Sequence, residues 1–197
     1  PGGTNPDACY GVVGNSTKGN RYGCIDSDGD GWDDTIDELP LLKHQWLDQD
    51  GDGYGDNATG PQPDACPGEP GTSTVDRYGC IDSDGDGISD ENDAFPDDAT
   101  RSSDIDGDGY DDLEDACMFV NGTSSIDRLG CKDSDGDGYS DGDGTWSSVD
   151  GADAFPDEAT QHADQDSDGF GDNAAGFQAD DCPTTPGTSF RDVFGCE

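Results

Sequence analysis

The sequence is poor in what builds an ordinary core. Only 28% of its 197 residues are hydrophobic, and methionine occurs once. That lies far below the apolar share of a globular domain. It is too little to offset a backbone ordering entropy of roughly 1–2 kcal/mol per residue. No apolar run is long enough to cross a membrane, so membrane insertion is not expected. Basic residues number 8 against 48 acidic ones, and the net charge of −40 argues against a nucleic-acid partner. The only histidines, His44 and His162, fall in linkers and read as solvated; no Ser-His-Asp order or activated cysteine marks an enzyme. No cysteine sits in a CxxC pair, which disfavours a thiolate metal site. Glutamate is scarce beside aspartate, so the acidity is placed at positions rather than spread over a solvated surface.

Two features oppose the disorder that this composition would otherwise imply. The first is eight cysteines, at Cys9 and Cys24, Cys66 and Cys80, Cys117 and Cys131, and Cys182 and Cys196, with three gaps of fourteen and one of fifteen. Eight cysteines allow 105 connectivities, and the regular gap favours pairing within each couple. Closing a loop of about 15 residues contributes roughly 3 kcal/mol in the chain-entropy model. Disulfides imply an oxidising, extracellular or cell-surface location. Sequons at Asn15, Asn57 and Asn121 agree, each weakly. With no signal peptide and no initial methionine, the chain is expected to be a mature or excerpted piece of a secreted product.

The second feature is a repeat. "NRYGCIDSDGDG", "DRYGCIDSDGDG" and "DRLGCKDSDGDG" are copies of one segment, and "DVFGCE" begins another. The units run 9–65, 66–116 and 117–181; residues 182–197 open a further unit, and 1–8 resemble the tail of a preceding one. The expectation that follows is an array that is longer or continues into a neighbouring molecule. Each unit holds two aspartate-rich loops joined by a linker with "DELP" or "DAFP", and the proline lies eight residues before the second loop in all three units. Glycine at every second or third loop position defeats helix and strand alike. "ELPLLKHQWL" supports one or two helical turns at most, and the "DAFPDDAT" and "DAFPDEAT" linkers a single short turn.

All six loops read D-x-D-x-D-G-x-x-D. Positions one, three and five are Asp26, Asp28, Asp30; Asp48, Asp50, Asp52; Asp82, Asp84, Asp86; Asp104, Asp106, Asp108; Asp133, Asp135, Asp137; and Asp164, Asp166, Asp168. Position nine is Asp34, Asp56, Asp90, Asp112, Asp141 or Asp172. This is the calcium-loop pattern: alternate carboxylates on a tightly turning backbone converge on a hard cation, and glycine at six permits the turn. Magnesium fits less well because it demands octahedral geometry and retains its waters. Position seven, expected to donate a backbone carbonyl, is Trp32, Tyr54, Ile88, Tyr110, Tyr139 or Phe170. These side chains read as small packing anchors between turns. Position twelve is aspartate in three loops, at Asp37, Asp93 and Asp115. The other three loops carry insertions of five, nine and five residues, after which Asp64, Asp153 and Asp180 fall into register. The insertions are therefore expected to bulge outward and the late aspartate to close the site. Trp146, inside the nine-residue insertion, reads either as an exposed contact or as a cover over the adjacent loop, with the second favoured.

On "DSDGDGISDENDAFP", "DIDGDGYDDLEDAC" and "DQDSDGFGDN" the chain resembles the thrombospondin type 3 repeat family. The resemblance covers nearly the whole chain apart from the cysteine loops and insertions. It implies an irregular backbone wrapped around successive calcium ions, the aspartates above as ligands, disulfides between repeats, and an extracellular structural or adhesive role. The chain departs from the family in having cysteines only at every second loop and longer paired-cysteine segments. In this it looks more like the repeats of secreted archaeal and bacterial surface proteins. Dockerins pair calcium loops at similar spacing, but "DDATRSS" and "DEATQHA" offer no apolar stripe for a cohesin. The expected fold is a mostly irregular, elongated, calcium-wrapped repeat array with little regular secondary structure, stapled by local disulfides. The expected function is a rigid spacer or subunit of a surface stalk, matrix or filament, with copies of itself as partners. The alternative is an adhesion module binding a glycan or a surface protein.

Overall fold

A computed structural model of the chain describes residues 6–191 and 193–197. Among these there is no helix and no extended strand. The only ladder fragments are three isolated parallel bridges, Gly55 to Pro63, Asp141 to Asp153 and Gly171 to Ala179. The chain forms two compact units, Pro1–Ser102 and Ser103–Glu197. The first holds acidic loops 1 to 3 and the second loops 4 to 6, so the division falls inside the repeat 66–116.

The backbone is held by turns that recur at fixed offsets. Each linker makes two successive i to i+3 turns, in which Leu42, Asp98 and Glu158 donate to Leu39, Phe95 and Phe155, and Gln45, Arg101 and Gln161 donate to Leu42, Asp98 and Glu158. The one or two turns expected over 38–47 are present, the "DAFP" linkers make two turns where one was expected, and none propagates into a helix. All four disulfides are local: Cys9–Cys24, Cys66–Cys80, Cys117–Cys131 and Cys182–Cys196. Inside the first three disulfide loops a buried serine bridges the turn. Ser16, Ser73 and Ser124 accept the amides of Cys24, Cys80 and Cys131 and donate to the carbonyls of Arg21, Arg77 and Arg128.

Successive segments stack through these loops. The carbonyl of Gly31 accepts the amides of Thr17 and Lys18, and Gly87 and Gly138 do the same for Thr74 with Val75 and Ser125 with Ile126. Each of the first three disulfide loops thus lies against the odd-numbered acidic loop that follows it. Position-seven aromatics pack forward. Trp32 stacks on Trp46 at 5.7 Å and Tyr139 on His162 at 3.8 Å, while Tyr54 meets Tyr78 and Phe170 meets Phe194, each at 5.8 Å. His162 is therefore a packed residue, not the solvated one its linker position suggests.

What is buried is not apolar. Among the described residues the buried hydrophobic set is Cys24, Cys80, Cys131 and Ala152, against sixteen buried polar side chains, nine of them aspartates. An interior of this kind receives little from the hydrophobic effect, and buried charge is costly unless compensated. The compensation must come from what the aspartates face.

Candidate metal centres

The six acidic loops share one geometry. At position one, one carboxylate oxygen accepts the amide of position four and the other that of position six; for Asp26 these are Gly29 at 2.7 Å and Gly31 at 3.0 Å. Asp48, Asp82, Asp104, Asp133 and Asp164 repeat both bonds. The position-six glycines have φ between 94° and 106°, a region where a side chain is strained, which accounts for the invariant glycine. Position four is also left-handed, and in loop 6 a serine, Ser167, is held there at φ 64°. At position five, Asp30, Asp52, Asp86, Asp108, Asp137 and Asp168 each accept the amide of position seven, at 2.7–3.0 Å.

These bonds turn the remaining oxygens inward. In five loops, carboxylate oxygens from positions one, three and five lie within 4.8 Å of one another. At position three, every loop has a buried oxygen with no hydrogen-bond partner: Oδ2 of Asp28, Asp50, Asp84 and Asp135, and both oxygens of Asp106 and Asp166. Ionised carboxylates this close, desolvated and unpaired, are a strongly unfavourable arrangement by themselves.

The closing aspartates return to the same centres. In all six loops the position-twelve amide donates to the carbonyl of position eight: Asp37 to Asp33, Asp93 to Ser89 and Asp115 to Asp111 directly, and Asp64 to Gly55, Asp153 to Ser140 and Asp180 to Gly171 across the insertions. The insertions bulge out and leave this bond intact. Asp64, Asp153 and Asp180 are at most 7% exposed, and Oδ2 of each has no partner. Burial first, then the carboxylates of positions one, three and five, push Asp37 above the ordinary range. Burial and same-loop carboxylates likewise raise Asp64 and Asp93. In Asp153 these causes push the carboxyl up to about 6. Asp106 and Asp166 rise by burial and by their neighbours, which include the closing Asp115 and Asp180. Asp28 and Asp135 are raised for the same reasons.

Position nine is different. Both oxygens of Asp34, Asp90 and Asp141 are engaged by the amide and hydroxyl of the serine at position two, and Asp112 is engaged by Ile105 and Ser103. Only Asp56 and Asp172 keep a buried oxygen without a partner. The donors Lys132 and Ser134 outweigh burial and hold Asp141 below the ordinary range. Asp127, engaged by Ser140, and Asp33, engaged by Thr35 and Arg21, are lowered in the same way against burial. The aspartates thus divide into structural acceptors with protein donors and inward-facing carboxylates without them.

The disulfide loops complete the even-numbered centres. Gly71, Gly122 and Gly187 donate their amides to Oδ2 of Asp52, Asp108 and Asp168 at 3.0, 3.1 and 2.8 Å. Gly79, Gly130 and Gly195 lie so close that a Cβ on them would fall 2.0–2.4 Å from Oδ1 of Asp64, Asp115 and Asp180. Nothing in the sequence marked these glycines or the bridging serines beyond a fixed distance, the glycines from the second cysteine and the serines from the first. Gln45 and Gln161, 0% and 1% exposed, were likewise missed; the available signal was their shared place three residues before the two loops with five-residue insertions.

Other candidates find simple places. The Nδ2 of Asn57 donates to the His44 carbonyl, and Asn173, which stands in no sequon, makes the same bond to Thr160. The asparagine at this point is accounted for by the bulge it supports, whereas Asn15 and Asn121 are exposed. Trp146 is half-buried, within reach of Gly151 and with Arg128 5.6 Å from its ring. It folds against its own insertion.

Donors of this kind, anionic oxygens at fixed separation, can hold a metal ion. Four local disulfides fit an oxidising compartment, and among the described residues no helix is long and apolar enough to cross a membrane. Comparison with known proteins gives no match, either to a protein-family model or to a curated sequence.

Proposed function

We propose that the chain is an extracellular calcium-binding structural segment, built of repeats of the thrombospondin type 3 kind, that serves as a rigid spacer or subunit of a surface stalk, matrix or filament. One observation carries this reading: in each of six loops a buried position-three carboxylate oxygen has no partner, and in five of them it lies where the carboxylates of positions one, three and five converge. At neutral pH a bound cation would balance that arrangement. Donors that are exclusively hard oxygens, with room for late aspartates to join, favour calcium over softer metals and over magnesium. The residues divide the work. Positions one and five are fixed by backbone amides, position three and, in loops 2, 5 and 6, position twelve supply free oxygens, and position nine mostly pins the loop. Bound calcium would supply the positive charge that eight basic residues cannot, so metal binding is largely folding free energy.

A chain with four small buried apolar groups gains rigidity from its ions, which suits a load-bearing or spacing role rather than catalysis. Small-angle scattering in calcium and after metal removal, at low ionic strength, tests this. Expansion on removal supports the reading; an unchanged radius of gyration rejects it.

A further inference from the structure

Loops 2 and 6 carry five extra residues before the closing aspartate, 57–61 and 173–177, and loop 4 carries none. Three residues ahead of the first aspartate stand Gln45, Gln161 and, for loop 4, Arg101. The two glutamines make one pattern twice. Nε2 of Gln45 donates to the carbonyls of Asn57 at 3.2 Å and Pro61 at 3.1 Å, and its Oε1 accepts the Asn57 amide at 2.9 Å. Gln161 does the same with Asn173 and Phe177 at 3.1 Å each, and with the Asn173 amide at 2.9 Å. Each glutamine therefore ties the first inserted residue to the fifth. The fit is close: a Cβ on Gly55 or Gly171 would lie 2.2 Å from the carboxamide, and one on Gly60 or Gly176 2.6 Å from its nitrogen.

We infer that Gln45 and Gln161 are positioning residues for the cation centres of loops 2 and 6, clamping the bulge shut so that Asp64 and Asp180 reach the ion. This rests on the calcium reading above. The chemistry asks for a carboxamide. Two carbonyls need donors and one amide needs an acceptor, and all three meet a fully buried side chain that would itself be costly to leave unpaired. Glutamate would lose both donors and arginine the acceptor. Where there is no bulge there are no such groups to satisfy, and Arg101 instead places its guanidinium 3.7 Å from the Phe95 ring.

The test is a calcium titration of the intact chain followed by NMR at the position-six amides, with Gly53 reporting loop 2 and Gly109, in loop 4, as the control. Q45A is expected to need about tenfold more calcium to saturate Gly53, the scale of losses when a residue supporting a metal ligand is removed, with Gly109 unmoved. A second variant carries Q45A and also replaces residues 57–63 by Leu-Glu, the two residues that precede the closing aspartate in loop 4. It removes the bulge and with it the need for a clamp, so Gly53 should saturate within about threefold of the wild type. Wild-type behaviour in Q45A would overturn the proposal. So would a bulge-free variant as weak as Q45A itself, because the glutamine would then act other than through the bulge. If calcium left Gly53 unshifted in the unmodified chain, the calcium reading would fall and take this inference with it.

Discussion

Removing calcium should make the fold prefer acid. Burial and the neighbouring carboxylates push Asp153 from an ordinary 3.8 to about 6. At roughly 1.4 kcal/mol per tenfold change in proton affinity, holding this one carboxylate ionised in a metal-free fold costs about 3 kcal/mol at pH 7. Because its folded value is raised, the native chain binds a proton that the unfolded chain has released between about pH 4 and pH 6. Stability of the metal-free form therefore falls as pH rises through that window. Asp28, Asp37, Asp56, Asp64 and Asp93 are raised and act in the same direction. Asp33, Asp76, Asp127 and Asp141 are lowered, so the stability they contribute is lost only at more acid pH. Metal-stripped protein should accordingly be expanded at pH 7 and contract toward about pH 5, as followed by small-angle scattering. Asp153→Asn removes the charge and should move that contraction toward neutral pH, while in saturating calcium it should weaken the fifth centre. A radius of gyration that is the same at both pH values without metal, or an Asn variant with the same effect with and without calcium, would refute the reasoning.

Other substitutions separate the parts of the account. Gly79→Ala places a Cβ 2.4 Å from Asp64 Oδ1 on a residue at φ 74°; it should weaken calcium binding at loop 2 about tenfold and leave loop 4 unchanged, as read by NMR at Gly53 and Gly109. Ser73→Ala strands the buried amide of Cys80 and the carbonyl of Arg77, and thermal unfolding in saturating calcium should show a loss of about 1–3 kcal/mol. Ser167→Gly relieves a left-handed serine and should stabilise the calcium-loaded chain by about 1 kcal/mol in the same assay. The Trp32–Trp46 stack at 5.7 Å should give a near-ultraviolet circular dichroism signal that is lost when metal is removed; persistence of that signal would detach the stack from loop 1.

Where chemistry is written in spacing, the sequence was informative. Asp26, Asp28 and Asp30 sit where alternation and Gly31 put them, and Asp153 bonds back to position eight of its own loop across nine inserted residues, where the repeat count places it. The local disulfides and the role of position seven as a packing anchor between turns were legible for the same reason, though not the direction in which its rings pack. What escaped depends on contacts between consecutive segments. Gln45 is a neutral residue in a linker until the bulge of loop 2 closes around it. Asp34 looks like any other loop aspartate until Ser27 engages both of its oxygens. His162 seemed solvated because its partner, Tyr139, lies twenty-three residues back on a different loop. Periodicity marks which residues recur; it does not say which recurring carboxylate faces the centre and which faces a serine.

The central claim is that these loops hold cations at defined places. Equilibrium dialysis of the intact chain against calcium, carried to millimolar concentration at about 0.1 M salt to screen diffuse attraction, counts them directly. Saturation at six ions per chain, reached with compaction and not matched by magnesium, is the outcome this account requires. A gradual rise without a plateau, equal for the two metals, would mean that the aspartates only attract a counterion cloud, and would contradict it.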